Sequence, residues 1–597
     1  MDEKKEDVAS NSSAGKDGSV PSTSQGEPPS PSENASLNTG DKEELETNKN
    51  KEENDGGNKK PAQSLLNKMD EDQLSLISKQ DDTSEYSKAD GDVTYIDPDE
   101  YIEKVGQCGL YQIRTQIIFM FFMIPIASQI LIMYFVGHNP PWRCKEGSKT
   151  CKFNGTVGTF DHHFFARCKM ERSEWEYTTS KEYSIVTQFD LVCARGGLAL
   201  IANSVIFIGW SIGGLTLPYA ADLVGRKWTF FPTTFVIFLS VIVSAAIENM
   251  PVFIICRFLV GFCLGGCHVS IFVLASEITG PAYRAISGTM VWVFFTGGLL
   301  LVTLEAYLLQ NWKLLQLVSV VPYIFVFFLW SCVPESIRWY VAKGKTELAE
   351  NLLKKIAIVN RKPEPTDKLR EEKEIQSSEN FLALFYPCPL LTNSLILVFG
   401  WFTCGVTYYT VSLASEDLSG DLYRDFALVS VMGLPANVVV VTCCDKIGRK
   451  KTTIAHFFIA AVAVFGIALV PLEGSHAAAK AARVALGMTG RYACTVAFNS
   501  LFIWSAELHA TVIRTQACGF FIVTSRIGAS LAPLIAYELK FVHPALPFVL
   551  MGGLNVVAAI SAFKLNETVG KPLVETMQEM LKNLGVDPEP EDELPKQ

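Results

Sequence analysis

The first hundred residues of this 597-residue chain contain no cysteine, phenylalanine or tryptophan. They hold 25 Asp and Glu against 11 Lys, a balance of 11 − 25 = −14, so the remaining residues sum to −10 + 14 = +4. Such a segment cannot bury enough apolar surface to offset the entropy lost on ordering. We therefore predict that residues 1–97 form a disordered acidic tail. It is either an entropic tail without a specific role or one that is phosphorylated and binds cytoplasmic partners.

Several motifs of secreted proteins, ATP-driven pumps and enzymes are also missing. The N-terminal region lacks the apolar stretch of a signal peptide, which predicts a cytoplasmic N-terminus. No glycine loop followed by Lys-Ser or Lys-Thr is present, which argues against direct drive by ATP. No nucleophile stands in a pattern with a base, and His162 and His163 beside Asp161 indicate a polar loop rather than a metal site. We predict neither an enzyme nor a cofactor, and no nucleic-acid partner.

Apolar residues, in contrast, are abundant: they make up 49% of the chain, aromatic residues make up 11%, and the mean hydropathy is +0.21. These values are high for a soluble protein of this size. The apolar residues gather in runs of the length that a lipid bilayer requires, about 20 residues. We predict twelve membrane spans, near 115–137, 198–219, 228–247, 252–275, 286–308, 313–333, 390–412, 425–443, 452–471, 482–505, 514–537 and 544–563.

Three short charged motifs occur twice, in the same order and at nearly the same spacing. The first is the DxxGRK turn that begins at Asp222 and again at Asp445, an offset of 445 − 222 = 223 residues. The second is a Glu seven residues before an Arg, with an offset of 507 − 277 = 230, and the third is PESIRW and NETVGK, with an offset of 567 − 335 = 232. An internal repeat of this kind in a polytopic membrane protein indicates a secondary transporter whose halves rock about a central site.

The repeated charges lie where predicted spans reach short basic loops, and such loops face the cytoplasm. A charged network there would close the inner mouth through salt bridges and release it when the halves rock. Single exposed ion pairs contribute only about 0–1 kcal/mol, so the network as a whole would have to act. The alternative is that the basic loops only set the topology. The predicted gate consists of Asp222, Arg226, Glu277, Arg284, Asp445, Arg449, Glu507 and Arg514.

Four cysteines and a glycosylation sequon occur together in the polar, aromatic-rich segment 138–195. Disulfides persist outside the cell, where the sequon Asn154-Gly155-Thr156 would also be modified. We therefore predict an extracellular loop with a glycan on Asn154. The three possible pairings stay open among Cys144, Cys151, Cys168 and Cys193.

The predicted spans and loops indicate a multi-pass protein of the plasma membrane. Both termini would lie in the cytoplasm, and the lipid bilayer would surround the spans. The acidic tail would be followed by two six-span halves joined through a charged connection with helical patterning in TELAENLLKKIAIV. The predicted segments are a tail at 1–97, a first half at 98–333 with the extracellular loop 138–195, a connecting loop at 334–388, a second half at 389–565 and a tail at 566–597.

Ionisable residues inside predicted spans are few, and each is a functional hypothesis. Arg526 stands near the middle of the eleventh span, Arg491 in the tenth, and Arg257 nearer an end of the fourth. A buried guanidinium binds carboxylates bidentately, which favours an anionic or zwitterionic substrate. The alternative is an arginine satisfied by helix carbonyls or by another acid. Glu305 lies near the outer mouth, where it could accept the ammonium of a zwitterion, and His268 is read as a satisfied core histidine.

The motifs ADLVGRKWTF, PESIRWYVAKGK and AELHATVIR, with the large cysteine-bearing loop after the first span, resemble solute carrier family 22 of the major facilitator superfamily. The resemblance covers residues 98 to 580. It implies an all-α polytopic membrane protein with the major facilitator fold, twelve transmembrane helices in two six-helix halves. Two departures put gating details in doubt: His509-Ala510 stands where the family has Tyr-Pro, and Asn566 where it has Pro.

The same resemblance implies a substrate class. Where the family's organic-cation branch has Asp, its anion and carnitine branches have Arg, and this chain has Arg526. We therefore predict a transporter of small organic anions or carnitine-like zwitterions, with an organic cation transporter and a non-transporting membrane receptor or scaffold as alternatives. The resemblance also implies aromatic cavity positions, so the candidate substrate-binding residues are Arg526, Arg491, Tyr408, Tyr409, Phe498, Phe295 and Glu305.

Overall fold

The computed structural model describes residues 95–585, apart from 160, 162, 366, 371–383, 472–475, 572 and 575. The predicted acidic tail therefore lies outside the described residues, except for its last three. There the structure moves the boundary: Tyr95–Ile96 (β1) pairs in parallel with Lys368–Leu369 (β5), so the ordered part begins before residue 98.

Long α-helices dominate the described chain because a segment in lipid has to satisfy its backbone polar groups within itself. In the part of the chain that the structure describes, nine helices are long and apolar enough to cross a membrane, and two more are shorter but apolar. One further long helix, Ala477–Glu507, carries two buried arginines and completes a set of twelve. The twelve are α1 (Leu110–Leu131, continued by Met133–Val136), α2 (Gly196–Val224), α3 (Arg226–Ala246), α4 (Met250–Glu277), α5 (Arg284–Leu309), α6 (Trp312–Phe328), α7 (Cys388–Leu413), α8 (Leu422–Val431, continued by Gly433–Ile447), α9 (Arg449–Leu469), α10 (Ala477–Glu507), α11 (Thr511–Val542) and α12 (Leu546–Ala562).

Each predicted span coincides with one of these helices. Five of them (α1, α2, α8, α10 and α11) extend a turn or more beyond the predicted run, whereas α6 ends five residues before it. We call the end of the bundle that carries the repeated charged turns the basic end, and the opposite end, which carries segment 138–195, the loop end. The remaining helices are short and lie outside the spans: Pro98–Val105, Phe164–Lys169, Arg172–Glu174, Ile185–Phe189, Cys193–Arg195, Pro281–Tyr283, Ile337–Ala342, Thr346–Asn360, Glu416–Ser419 and Met577–Asn583.

Within each half, a glycine lets two helices approach until their backbones are in contact, and the two helix pairs occupy matching places in the two halves. A Cβ on Gly298 of α5 would lie 2.4 Å from the carbonyl oxygen of Ile124 in α1. A Cβ on Gly405 of α7 would lie 2.0 Å from the carbonyl oxygen of Ser525 in α11. Small residues allow this packing in a membrane, where no hydrophobic force drives helices together. The second contact fixes α11 one residue before Arg526.

At the loop end, segment 138–195 forms a small domain around a three-stranded antiparallel sheet. Its strands are β2 (Trp142–Cys144), β3 (Thr156–Val157) and β4 (Trp175–Tyr177), in the order β3-β2-β4. Two buried tryptophans, Trp142 and Trp175, form its core with ring centroids 6.0 Å apart. The disulfides join Cys144 to Cys151 and Cys168 to Cys193, which selects one of the three pairings left open by the sequence.

Asn154 is exposed two residues before the start of β3, so its side chain is accessible to the glycosylation machinery. We expect the protein from mammalian cells to migrate faster on a gel after glycosidase treatment, and Asn154→Gln to abolish that shift. Thiol labelling without reductant should leave these four cysteines unmodified. Unchanged gel mobility after glycosidase treatment would contradict the predicted glycan. Labelling of all four thiols would contradict the disulfides.

At the basic end, the predicted connection contains the helix Thr346–Asn360, which matches the helical patterning of its sequence. The short helix Pro98–Val105 leads into α1 and carries Asp99, which pairs with both Arg284 and Arg338. Burial alone would raise the pKa of Asp99, but hydrogen bonds from these two arginines lower it below its usual value. The chain that enters the first span is thereby attached to the start of α5.

Candidate substrate cavity and basic-end networks

A cavity lies at the junction of the two halves, bordered by α2 and α5 of the first half and by α7, α8, α10 and α11 of the second. Its central free volume is about 40 Å³, enough for about three water molecules. A bulky organic ion would therefore require the halves to move apart. Six of the seven predicted substrate-binding residues line it: Arg526, Arg491, Tyr408, Tyr409, Phe498 and Phe295.

Arg526 connects the two halves through its guanidinium group. Its Nη1 donates a hydrogen bond to the hydroxyl oxygen of Tyr409, at 2.9 Å. Its Cζ lies 3.7 Å from the ring centroid of Trp210 on α2, a cation–π contact with the other half. The residue is only 6% exposed, and its Nε has no hydrogen-bond partner among the described residues.

Arg491 is the second buried cation of the cavity. Its Cζ lies 3.4 Å from the ring centroid of Tyr408, and its Nη1 donates to the Tyr408 carbonyl oxygen at 3.2 Å and to the hydroxyl of Ser412. Its Nε is also buried without a hydrogen-bond partner in the described part of the chain. Within residues 95–585 as described, neither Arg491 nor Arg526 has an acidic side chain within ion-pair distance, so both positive charges lack a counter-ion.

Glu305, the seventh predicted residue, does not line the cavity. It lies nine residues beyond Thr296 on α5, about 14 Å along the helix toward the loop end, and its Oε2 is buried without a hydrogen-bond partner among the described residues. Arg257 also lies outside the cavity and donates to the carbonyl oxygen of Gln129 at 3.1 Å. His268 differs from the expectation of a satisfied core histidine, since its buried Nε2 has no partner in the described residues.

The cavity contains further polar and aromatic residues that the sequence did not single out. Trp210 and Trp292 come from the first half, and the ring of His268 lies between them at 5.9 Å and 5.6 Å. Asn499 of α10 donates to Asn437 of α8 at 2.9 Å. No motif in the local sequence marks these residues as cavity positions, so only the fold distinguishes them from lipid-facing ones.

At the basic end, each half has an arginine that bridges two acids of the same half. Arg226 contacts Asp222 at 2.8 Å and Glu277 at 3.8 Å. Arg449 contacts Asp445 and Glu507, both at 3.0 Å. The arginines are 17% and 14% exposed, so the networks are shielded from solvent on one side.

A glutamate from the third repeated motif caps the following helix in each half, a role that the sequence did not assign. Glu335 accepts the backbone N–H of Arg226 at 2.9 Å, and Glu567 accepts that of Arg449 at 3.0 Å. A carboxylate is favourable at a helix N-terminus because the backbone donors and the helix dipole face it. The glycine of each turn is required, since Gly225 has φ 112° and a Cβ there would lie 2.3 Å from Glu335 Oε2.

The arginines of the second repeated motif bind helix ends instead of the glutamates seven residues before them. Arg284 donates to the carbonyl oxygen of Ser276 at 3.3 Å, and Arg514 donates to that of Ala506 at 2.8 Å. These carbonyls occupy matching places at the ends of α4 and α10. A cation is favourable at a helix C-terminus, so both arginines hold the basic end of their own half.

The halves meet at the loop end. Tyr134 of α1 accepts a hydrogen bond from Ser415 at 2.8 Å and stacks on Phe426 of α8, with ring centroids 4.6 Å apart. His138 lies 3.2 Å from Glu416. Burial alone would raise the pKa of Glu416, but the His138 ring lowers it below its usual value. These contacts join the two halves at the loop end.

Comparison with known proteins identifies the family. The model of the sugar (and other) transporter family matches residues 153–581. Solute carrier family 22 member 15 of Xenopus tropicalis is 30% identical over 485 residues, which cover 80% of this chain and 90% of that protein. The chain belongs to solute carrier family 22. This solute carrier is therefore a multi-pass membrane transporter of small organic substrates, not an enzyme.

Other relatives cover similar lengths. Organic anion transporter 3 of Homo sapiens is 27% identical over 516 residues, with 81% of this chain and 93% of that protein covered. Solute carrier family 22 member 1 of Oryctolagus cuniculus is 28% identical, with 81% and 94% covered. The proton:xylose symporter XylE has a TM-score of 0.54 at 17% identity, covering 79% of this solute carrier and 99% of XylE. That likeness shows the major facilitator fold of two six-helix halves.

Proposed function

We propose that this solute carrier moves small organic anions, or zwitterions that carry a carboxylate, across the plasma membrane by alternating access of its two halves. The observation that supports this proposal most strongly is a pair of buried arginines. Arg526 and Arg491 line the cavity, and neither has an acidic partner among the described residues. A buried charge without a counter-ion is costly. An anionic substrate would supply the counter-ion, and a guanidinium suits a carboxylate because both are planar and bond bidentately.

The aromatic residues around the arginines support an organic rather than an inorganic anion. Tyr408, Phe498 and Phe295 offer apolar faces beside the two cations. Ligand cavities typically combine such aromatic walls with a few polar groups. Glu305 supports the zwitterion variant, since its buried carboxylate lies on α5 toward the loop end, where a substrate ammonium could meet it during passage.

The topology that we propose puts the basic end and both termini in the cytoplasm. Short loops rich in Lys and Arg favour the cytoplasmic side, and the turns at Arg226 and Arg449 belong to such loops. Disulfides favour the extracellular side for segment 138–195. The β1–β5 pair supports moving the first predicted boundary, between segments 1–97 and 98–333, to about residue 95. The other proposed segments stay at 334–388, 389–565 and 566–597.

Alternating access is supported by the distribution of contacts between the halves. Tyr134 and His138 join the first half to the second at the loop end. At the basic end, Arg226 and Arg449 pair with acids of their own halves. We infer that the described state is closed on the extracellular side, and that the basic end closes when the halves rock.

An uptake assay with substrates matched in size tests the proposal. We expect cells expressing the protein to take up phenylacetate and phenylalanine above cells with empty vector, and to exclude phenethylammonium, which has the same ring on a cationic chain. Preference for phenethylammonium or tetraethylammonium would make the protein a cation transporter. Absence of uptake for all of them, with the protein at the surface, would favour the receptor or scaffold alternative.

A further inference from the structure

A second concave surface lies at the basic end of the first half, away from the substrate cavity. We call it the tryptophan groove; its volume is about 560 Å³. It runs between the start of α1, the start of α3, the segment after α6 and the helix Thr346–Asn360. The residues that define it here are Tyr111, Arg114, Lys227, Trp228, Trp330 and Lys355.

Two tryptophans form an aromatic wall with a cation over it. The ring centroids of Trp228 and Trp330 lie 4.9 Å apart, and the Nζ of Lys227 lies 4.7 Å from the Trp330 centroid. Trp228 is 58% exposed, so the indole is not a core residue. Tryptophan and lysine together favour the boundary between lipid headgroups and acyl chains.

The groove carries uncompensated positive charge. Arg114, Lys227 and Lys355 have no acidic side chain within ion-pair distance among the described residues. Glu335 also lines the groove, but its carboxylate accepts backbone N–H groups of Arg226, Lys227 and Ser336. The negative charge of Glu335 therefore stabilises the N-terminus of α3. Arg114, Lys227 and Lys355 remain available to an anionic ligand.

Exposed apolar side chains lie on α1 and α6, the two spanning helices whose ends border the groove. Ile113 and Ile117 on α1 are 45% and 58% exposed, and Phe328 at the end of α6 is 77% exposed. A ligand with a charged head and apolar chains would place its head among the cations and its chains along these residues. A soluble phosphate would use only the first part of this surface.

The internal repeat shows that the aromatic wall of Trp228 and Trp330 is not needed to form the DxxGRK turn. With the offset of 223 residues, Lys451 stands in the second half where Trp228 stands in the first; with the offset of 232, Ala562 stands where Trp330 stands. The second half nevertheless forms the same glutamate cap at Arg449. The aromatic wall is therefore an addition to the first half that the shared fold does not explain.

We propose that the tryptophan groove binds the headgroup of an anionic phospholipid from the leaflet at the basic end. Lys227, Lys355 and Arg114 contact its phosphates, and the acyl chains pass Trp228 onto the apolar face of α1 and α6. Three cations match a headgroup with more than one negative charge, so a phosphatidylinositol bisphosphate should bind more tightly than phosphatidylserine. Phosphatidylcholine, which has no net charge, should bind most weakly. The site is independent of the proposed substrate.

Native mass spectrometry of the full-length protein tests the proposal without a transport assay and without assuming an orientation. The protein is reconstituted in nanodiscs of phosphatidylcholine with phosphatidylinositol bisphosphate, and retained lipid is counted. Each basic residue near a membrane surface contributes about fivefold to the binding of anionic lipid. We therefore expect Lys227→Gln with Lys355→Gln to weaken retention about 25-fold.

The matched control is Lys446→Gln with Lys451→Gln, which removes two exposed lysines from the same end of the second half. This control should retain the lipid like the wild type, and a photoactivatable phosphoinositide should label peptides that contain Trp228 or Trp330. If both double variants lost lipid retention equally, the binding would be due to general surface charge, and the proposal would be overturned. Displacement of the lipid by inositol trisphosphate at equal concentration would assign the groove to a soluble phosphate instead.

Discussion

Replacing Arg526 by aspartate is expected to abolish carboxylate uptake while the protein still reaches the cell surface. The guanidinium is buried between Tyr409 and Trp210, where a charge acts more strongly than in water. Removing one member of a buried charged pair typically costs about 2–5 kcal/mol, and the new carboxylate would also repel the substrate. The measurement is initial uptake of phenylacetate, normalised to surface protein determined by biotinylation.

Two milder variants separate charge from geometry at the same place. Arg526→Lys keeps the charge but loses the bidentate fork, so the affinity should fall about tenfold, the effect of one charge-assisted hydrogen bond. Tyr409→Phe removes the hydroxyl that accepts from Arg526, and should lower affinity about fivefold without changing the preference for anions. Full carboxylate uptake by the aspartate variant would show that Arg526 is structural.

Neutralising Arg226 and Arg449 together should lower the maximal rate of transport while much of the protein remains at the surface. Each arginine holds two acids of its half, and its loss leaves Glu277 or Glu507 without its charged partner. If each network biases the equilibrium between states by about 1 kcal/mol, the Arg226→Gln and Arg449→Gln double variant should be about thirtyfold slower. Single variants, and those at Asp222 or Asp445, should act in the same direction.

The concentration dependence of uptake distinguishes gating from substrate binding. A cycling defect lowers the maximal rate and changes the apparent KM for the carboxylate little, whereas Arg526 variants should raise KM. The double variant Lys446→Gln and Lys451→Gln removes the same charge from the same end and should transport normally. Normal uptake after loss of both arginines would leave the basic loops with a topological role only.

Much of the fold could be predicted because its determinants are local in sequence. A run of about 20 apolar residues fits the hydrocarbon thickness whatever its neighbours are, so the helix near 286–308 was found as Arg284–Leu309. The repeats were also readable, because each motif is short and stands at a helix end. The tenth span was found although it carries Arg483 and Arg491, because most residues on either side of Arg491 within the helix are apolar.

The roles within the repeats needed three dimensions. Glu335 lies 109 residues after Arg226 in the chain, and only the packing of α3 against the segment after α6 brings its carboxylate to the helix N-terminus. The turn between α4 and α5 directs Arg284 to the carbonyl oxygen of Ser276 rather than to Glu277. Sequence spacing alone does not tell an ion pair from a helix cap.

The sequence by itself determined the twelve spans, the duplicated halves, the cysteine-bearing loop after the first span and the arginines within the spans. The tertiary structure alone decided which of those charges share a cavity: Arg526 and Arg491 do, and Glu305 does not. The physical reason is helix rotation. Lipid and the interior of the bundle are both apolar, so hydropathy fixes where a helix crosses the membrane but not which of its faces meets the partner half. That choice depends on close backbone contacts such as Gly405 against Ser525, which set the direction of Arg526.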